Sequence, residues 1–284
     1  MSETKPANEA LCLAALRDHD RDRYLAALLT PADRRAGVAA LYAYNAELAR
    51  VRELVREPLP GEVRLQYWRD LLQGAGHGAN EANPVAAELL QATRTYQLPV
   101  GPLAAMADAR IFDLYDDPME TVVMFEGYAG ETAATLIQLT SLVLDPAAAA
   151  SAADTAGHAG VAQAVAGCLL LLPIHRARGQ VYLPLEILRA VGLEGPDLLK
   201  GADKARLSAA IEAFAGLGLD HLEKARRSGT PSRSILPAYL PATLARRVLL
   251  SARSRGAAIL DHDIRPPQWR RQLRMMATLV SGRI

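Results

Sequence analysis

Carboxylates four residues apart on a helix face the same way and can hold one divalent cation between them. Glu53 and Glu57 have that spacing, with Glu47 upstream. Arg50, Arg52 and Arg56 surround these acids, and a solvated, ion-paired face accounts for all of them equally well. A second acidic cluster, DLYDDPME at Asp113–Glu120, either gathers a cation through oxygen ligands or marks a helix end followed by an N-cap. In the capped version Asp117 is the cap, Pro118 opens the helix and Glu120 completes a capping box. A third set is basic. His175, Arg176 and Arg178 follow an apolar run, and Thr155–Leu185 contains no Asp or Glu at all. These three either pair an anion or cap the negative end of a helix. His77, in a glycine-rich stretch, reads as a solvent-exposed histidine and not as a ligand.

The first acids sit on the most strongly patterned stretch, Thr30–Glu57, which reads as one long helix. Thr30 is the expected N-cap, Pro31 the first helical residue, and Asp33 faces the positive end of the dipole. Val38, Leu41, Leu48 and Val55 recur at helical spacing, and Pro58 is expected to stop the helix. Asn45 falls on this apolar stripe, and Tyr44, Glu47 and Val51 line the neighbouring one, so polar atoms face the interior.

Other elements follow the same signals. One or two helices are expected over Glu9–Leu29, then a turn at Pro58–Gly61 and a helix over Glu62–Gln73 carrying Val63, Tyr67, Trp68 and Leu71. A loop over Gly74–Asn83 precedes helices at Pro84–Tyr96 and Pro99–Asp113. Met119–Asp145 reads as a long helix whose Gly127, Ala129, Gly130, Ala133 and Ala134 admit either another helix or a ligand. Pro146–Asp154 is an Ala-rich connection or short helix. Pro173 should end or kink the helix within Thr155–Leu185. A short helix and turn follow Pro184, then a helix over Asp203–Arg227, a loop at Ser228–Ser234, and two closing helices with basic faces at Ala242–Leu260 and Pro267–Ser281.

Composition bounds the rest. Half of the 284 residues are hydrophobic, ample for a core, and abundant helix formers favour an all-α protein. A formal charge of +1 gives no overall field for nucleic acid. Arginine outnumbers lysine 28 to 4, which fits either bidentate phosphate contacts or a GC-rich genome. Cys12 and Cys168 form no disulfide framework or zinc spacing, Cys168 is expected to be a buried thiol, and a reducing compartment follows. The first ten residues have no signal-peptide apolar region, and the Val161–Ile174 run is too short to span a bilayer. The expected location is cytoplasmic, with peripheral contact at the inner face of the membrane allowed by the basic closing helices. No linker or repeat divides the chain, so one domain is expected over residues 9–284 after a disordered Met1–Asn8.

The stretch LYAYNAELARVRE resembles the first aspartate-rich helix of the squalene/phytoene synthase family. Leu41, Tyr42, Ala43 and Tyr44 keep its frame, its acid pair falls on Ala49 and Arg50, and its third acid on Glu53. AQAVAGCLLLLPIHRARGQVYLP resembles the second motif and the loop after it: Gln163, Gly179, Val181, Tyr182, Leu183 and Pro184 match, while acid positions fall on Leu170, Pro173 and neighbours. Arg23, Tyr24 and Leu25 resemble the segment ahead of the first motif, and Arg34 or Arg35 its arginine. Arg110 and Asp113 resemble an Arg-x-x-Asp pair, FEGYAGETAATLIQL the central helix, and Pro237–Pro241 a later segment. The resemblance implies an all-α, single-domain isoprenoid synthase-like bundle around a central cavity. It places Tyr44, Asn45, Glu47, Arg50, Glu53, Tyr67, Gln163 and Tyr182 near that cavity, with Arg50 paired to an acid such as Glu53. Arg34, His175, Arg176 and Arg178 are its anion-binding candidates.

Family members that join prenyl diphosphates need magnesium held by both motifs. One missing acid can be replaced from elsewhere; a whole missing motif requires a rebuilt site. AYNAELARV, LQYWRDLL and an intact VYLP also resemble a degenerate branch of the family that includes the mitochondrial factor needed for assembly of respiratory complex I. The resemblance therefore implies a non-catalytic protein without cofactor, working with complex I subunits or assembly factors. Its alternatives are a magnesium-dependent prenyl diphosphate synthase with an altered site, and a binder of an isoprenoid or lipid.

Overall fold

The computed structural model describes residues 4–75 and 83–284; His77 and most of the expected 74–83 loop lie outside them. Every regular element described is helical. In chain order these are α1 (Thr4–His19), α2 (Arg21–Leu28), α3 (Ala32–Leu54), α4 (Pro58–Leu72), α5 (Pro84–Thr95), α6 (Val100–Ala109), α7 (Val122–Ala129), α8 (Thr135–Leu144) and α9 (Pro146–Ser151). There follow α10 (Ala153–Leu170), α11 (Leu172–Ala177), α12 (Leu185–Ala190), α13 (Gly195–Lys200), α14 (Lys204–Ser228), α15 (Leu236–Tyr239), α16 (Ala245–Arg255) and α17 (Gln268–Ser281). α1 begins inside the segment expected to be disordered. No helix among the described residues is long and apolar enough to cross a membrane.

The chain forms two compact units that interleave in sequence. The first holds residues up to Tyr115, Thr135–Ala153 and Pro231–Tyr239; the second holds Asp116–Ala134, Asp154–Thr230 and Leu240–Ile284. Because the chain passes from one to the other several times, no linker composition marks the division.

In the first unit α3 packs against α1, α2, α4, α5, α6 and α8. Val38, Leu41 and Leu48 of its expected stripe are buried, as the periodicity predicts, whereas Val55 lies past the helix end and is only half-buried; Val51 of the neighbouring stripe is buried. Its ends differ from the sequence expectation. The Thr30 hydroxyl donates backward to the Ala26 carbonyl at 3.0 Å, so it caps nothing ahead of it, and Pro31 occupies the N-cap position without a side-chain bond. At the other end Val55 is extended and Glu57 is the extended N-cap of α4, with Pro58 in that helix's first turn. A residue before proline is driven out of the α region, which explains why Glu57 leaves α3. α4 accordingly starts earlier than expected and buries Leu65, Trp68 and Leu71, while Val63 is exposed.

In the second unit α14 packs against α12 and α16. Phe125 of α7 meets Phe214 of α14 edge to face, centroids 5.0 Å apart. The expected cap at Asp117 does not form. Residues 115–121 are not helical, and the backbone there is tied to the loop before α12: Met119 N–H donates to Val181 O at 3.0 Å and Leu185 N–H to Met119 O at 2.8 Å. Thr121 caps α7 instead, accepting from Met124 N–H. The long helix expected over Met119–Asp145 is interrupted by a wide π turn at Gly130–Ala134. Pro173 acts as expected: α10 stops at Leu170 and α11 restarts at Leu172 with the proline in its first turn. The first closing helix is shorter than expected, its flanks at Ala242–Leu244 and Gly256–Leu260 being 3₁₀ turns. Cys12 is buried, but Cys168 is only half-buried, contrary to expectation.

Candidate functional site

In the first unit the polar interior of α3 is answered by neighbouring helices. The buried Tyr44 hydroxyl donates to the Leu103 carbonyl of α6 at 2.7 Å. Burial pushes that phenol's pKa well up, and it stays protonated. Its ring lies edge-on to Trp68 at 5.1 Å, and Trp68 in turn to Tyr67 at 5.3 Å. Asn45 is also buried. Glu47 forms its ion pair with Arg50, at 3.9 Å. Arg50 is thus paired to an acid, as expected, but the acid is Glu47 one turn earlier and not Glu53, which lies equally three residues away and is exposed. With Glu57 off the helix, the carboxylate pair that could share a cation is not formed. Arg34 pairs with Asp33 at 3.3 Å and lies over the Tyr96 ring. Arg23 is held by Asp20 and faces the Tyr42 ring. The Arg110–Asp113 pair does form, at 3.0 Å.

In the second unit α10 carries the half-buried Gln163. A Cβ on Gly160 would land on the backbone of Ala134, so at that point the small residues serve close packing of chain against chain. His175 is buried with its ring 4.5 Å from Tyr182, which also approaches Tyr128 at 6.3 Å. Arg176 is fully occupied: Nε donates to Leu199 O at 2.8 Å, Nη2 to Lys200 O at 3.1 Å, and Nη1 to Asp261 at 3.2 Å. Those carbonyls end α13. Of the two chemistries open for this arginine, helix capping is the one formed, and the helix capped is a later one. Arg178 is exposed.

Sequence reasoning missed one constellation. His221 of α14, buried, contacts Glu126 of α7 through Nε2 at 3.0 Å and His158 of α10 through Nδ1 at 3.2 Å. Burial, then the neighbouring His221 and Lys224, hold the pKa of His158 below the usual histidine value. A carboxylate–imidazole–imidazole chain can hold or pass a proton. Its members stand 95 and 63 residues apart, so no local spacing betrays them.

Magnesium, implied for a prenyl-transferring protein, needs several oxygen ligands in octahedral array. The residues present do not fit it. α3 offers Glu47 and Glu53 on its second half, α10 offers Asp154 in its first turn, and among the described residues no group of three His, Cys, Asp or Glu side chains is placed to hold a metal ion.

Against this geometry stand the comparisons with known proteins. The family model described as squalene/phytoene synthase matches residues 16–276. The chain is 32% identical over 237 residues to the NADH dehydrogenase (ubiquinone) complex I, assembly factor 6, of Rattus norvegicus, covering 83% of this chain and 71% of that one. With the Homo sapiens protein of the same description it is 33% identical over 215 residues, 76% of this chain and 64% of that one. In structure it is similar to a crystallised dehydrosqualene synthase in complex with ligand, with a TM-score of 0.82 at 18% identity, over 98% of this chain and 97% of the other. The fold is thus the all-helical isoprenoid synthase fold.

Proposed function

The chain belongs to the squalene/phytoene synthase family, and from that premise we propose that it is a non-catalytic member serving the assembly of respiratory complex I. The observation that carries this reading is the acid-poor α10. Cleaving an allylic diphosphate leaves a multiply charged pyrophosphate that magnesium ions must neutralise, and each ion needs carboxylates aimed at it. α10 matches the second metal motif in order and in Gln163, yet its one acid is Asp154 in the first turn. Similarity to proteins named for complex I assembly supports the cellular context. Under this reading the partners are complex I subunits or other assembly factors, met from the cytoplasmic side.

Deleting the gene in its host and resolving complex I on native gels tests the proposal. Loss of assembled complex I, restored by the wild-type chain and equally by a Glu47→Gln/Glu53→Gln variant, is the expected result. Normal complex I in the deletion strain, or rescue that requires those glutamates, contradicts it.

A further inference from the structure

Helix α17 has two apolar sides, and only one is used. Met275 and Thr278 are buried, whereas Trp269, Leu273, Met276 and Val280 are 55%, 53%, 45% and 78% exposed. The exposed four fall at i, i+4, i+7 and i+11, one continuous stripe on the side away from the buried pair. Single exposed apolar residues are ordinary, but a helix-long stripe marks a contact surface.

Unanswered positive charge lies beside it. The Arg270 guanidinium sits over the Trp269 ring at 4.9 Å. Arg274 shares a small pocket with Arg226 of α14 and Arg246 of α16; Thr243 and Ile284 also line it, and no Asp or Glu does. None of these three arginines has an ion pair or side-chain hydrogen bond among the described residues, unlike Arg176, and Ile284 makes no ion pair with them. Burial and repulsion from Arg226 and Arg246 hold the pKa of Arg274 below the usual arginine value. The free space, about 20 Å³, suits a single oxyanion group better than a cofactor. From Ala242 to Ile284 there are nine arginines against two aspartates, in a chain whose formal charge is +1.

We propose that α17 and its three-arginine pocket dock this protein onto an anionic phospholipid bilayer. The Trp269–Val280 stripe enters the boundary between headgroups and acyl chains, and Arg226, Arg246 and Arg274 clamp lipid phosphate. Guanidinium forks match phosphate oxygens, and acid-free helices with arginine on one side and Trp, Leu and Met on the other lie in the membrane interface. An anionic leaflet supplies the counter-charge that the protein itself does not. This inference does not depend on the proposed role in complex I assembly.

The test is co-sedimentation of the full chain with phosphatidylcholine vesicles and with mixed phosphatidylcholine/phosphatidylglycerol vesicles. Binding to the mixed vesicles alone, weakened by salt, is expected. Each arginine removed should weaken binding about fivefold, and Arg226→Gln/Arg246→Gln/Arg274→Gln on the order of 100-fold. Trp269 emission should shift to the blue on binding, since the other tryptophan, Trp68, is already buried. All substituted side chains are exposed, and circular dichroism of each variant checks the fold; the single Arg274→Gln variant serves if the triple one misfolds. Equal binding to both vesicle types, unchanged binding by Leu273→Gln/Val280→Gln or by the arginine variants, or retention of inorganic phosphate without vesicle binding each overturns the proposal.

Discussion

Two helices, α3 in the first unit and α10 in the second, carry the stretches that resemble the two metal motifs of the family, and they are built differently. α3 keeps buried polar side chains and satisfies Tyr44 on a neighbouring helix, at the Leu103 carbonyl of α6, while the half-buried Glu47 and Arg50 pair along α3 itself. α10 is packed instead by small residues, with Gly160 against the Ala134 backbone, and its polar link runs through His158 to His221 and Glu126. A helix that keeps buried polar groups needs specific acceptors on other helices; a helix packed by glycine and alanine needs only close approach. The first should respond to loss of single hydrogen bonds, the second to added volume.

The largest effect is therefore expected on α10. Gly160→Val forces branched carbons onto the Ala134 backbone, which cannot swing aside as a flexible side chain can. A loss of about 3 kcal/mol or more is expected by urea denaturation, at the upper end for overpacking. Arg176→Ala comes next. It removes two carbonyl caps and one ion pair, and about 2 kcal/mol should be lost in the same assay, because charge-assisted bonds to backbone are the strong ones. Tyr44→Phe sharpens the contrast from the other side. It deletes one buried hydroxyl without changing the ring, and a loss of about 1 kcal/mol, the ordinary net contribution of such a bond, is expected.

The smallest effect is a pH dependence. The pKa of His158 is held below its value in the unfolded chain, so the folded state favours the neutral ring. As pH falls through the unfolded value near 6.5, the unfolded chain takes up protons first and stability drops. His158→Gln should flatten the melting temperature across that window. At the alkaline end Cys12 acts with the corresponding sign. Burial pushes its thiol up to about 12 from 9.0, so its contribution is present below pH 9 and lost between the two values. Ellman's reagent at neutral pH should accordingly modify the half-buried Cys168 well before Cys12.

Helical periodicity and proline placement made most of the fold legible. Pro84, Pro146 and Pro173 each open a helix in its first turn, and Val38, Leu41 and Leu48 of the α3 stripe are buried where the spacing puts them. The failures have specific causes. Thr30 bonds back to Ala26, an option open to any threonine at a helix end. Asp117 and Pro118 look like a helix start, but the backbone at Met119 and Glu120 is committed to Val181, Leu185 and Glu186, a long-range pairing no local pattern encodes. The loss of Glu57 from α3 was readable in principle, since Pro58 follows it. The site was less legible than the fold. The burial of Asn45 and Tyr44 was legible because Asn45 interrupts an apolar stripe and Tyr44 lines the neighbouring one, while the Glu126–His221–His158 chain joins three helices distant in sequence.

The most direct test of the non-catalytic reading is pyrophosphate release from the purified chain, shown to be folded by circular dichroism, given farnesyl or geranylgeranyl diphosphate with and without magnesium. The acid-poor α10 predicts no magnesium-dependent release above the protein-free background. Sustained magnesium-dependent turnover would contradict the account and require a metal site built from other acids.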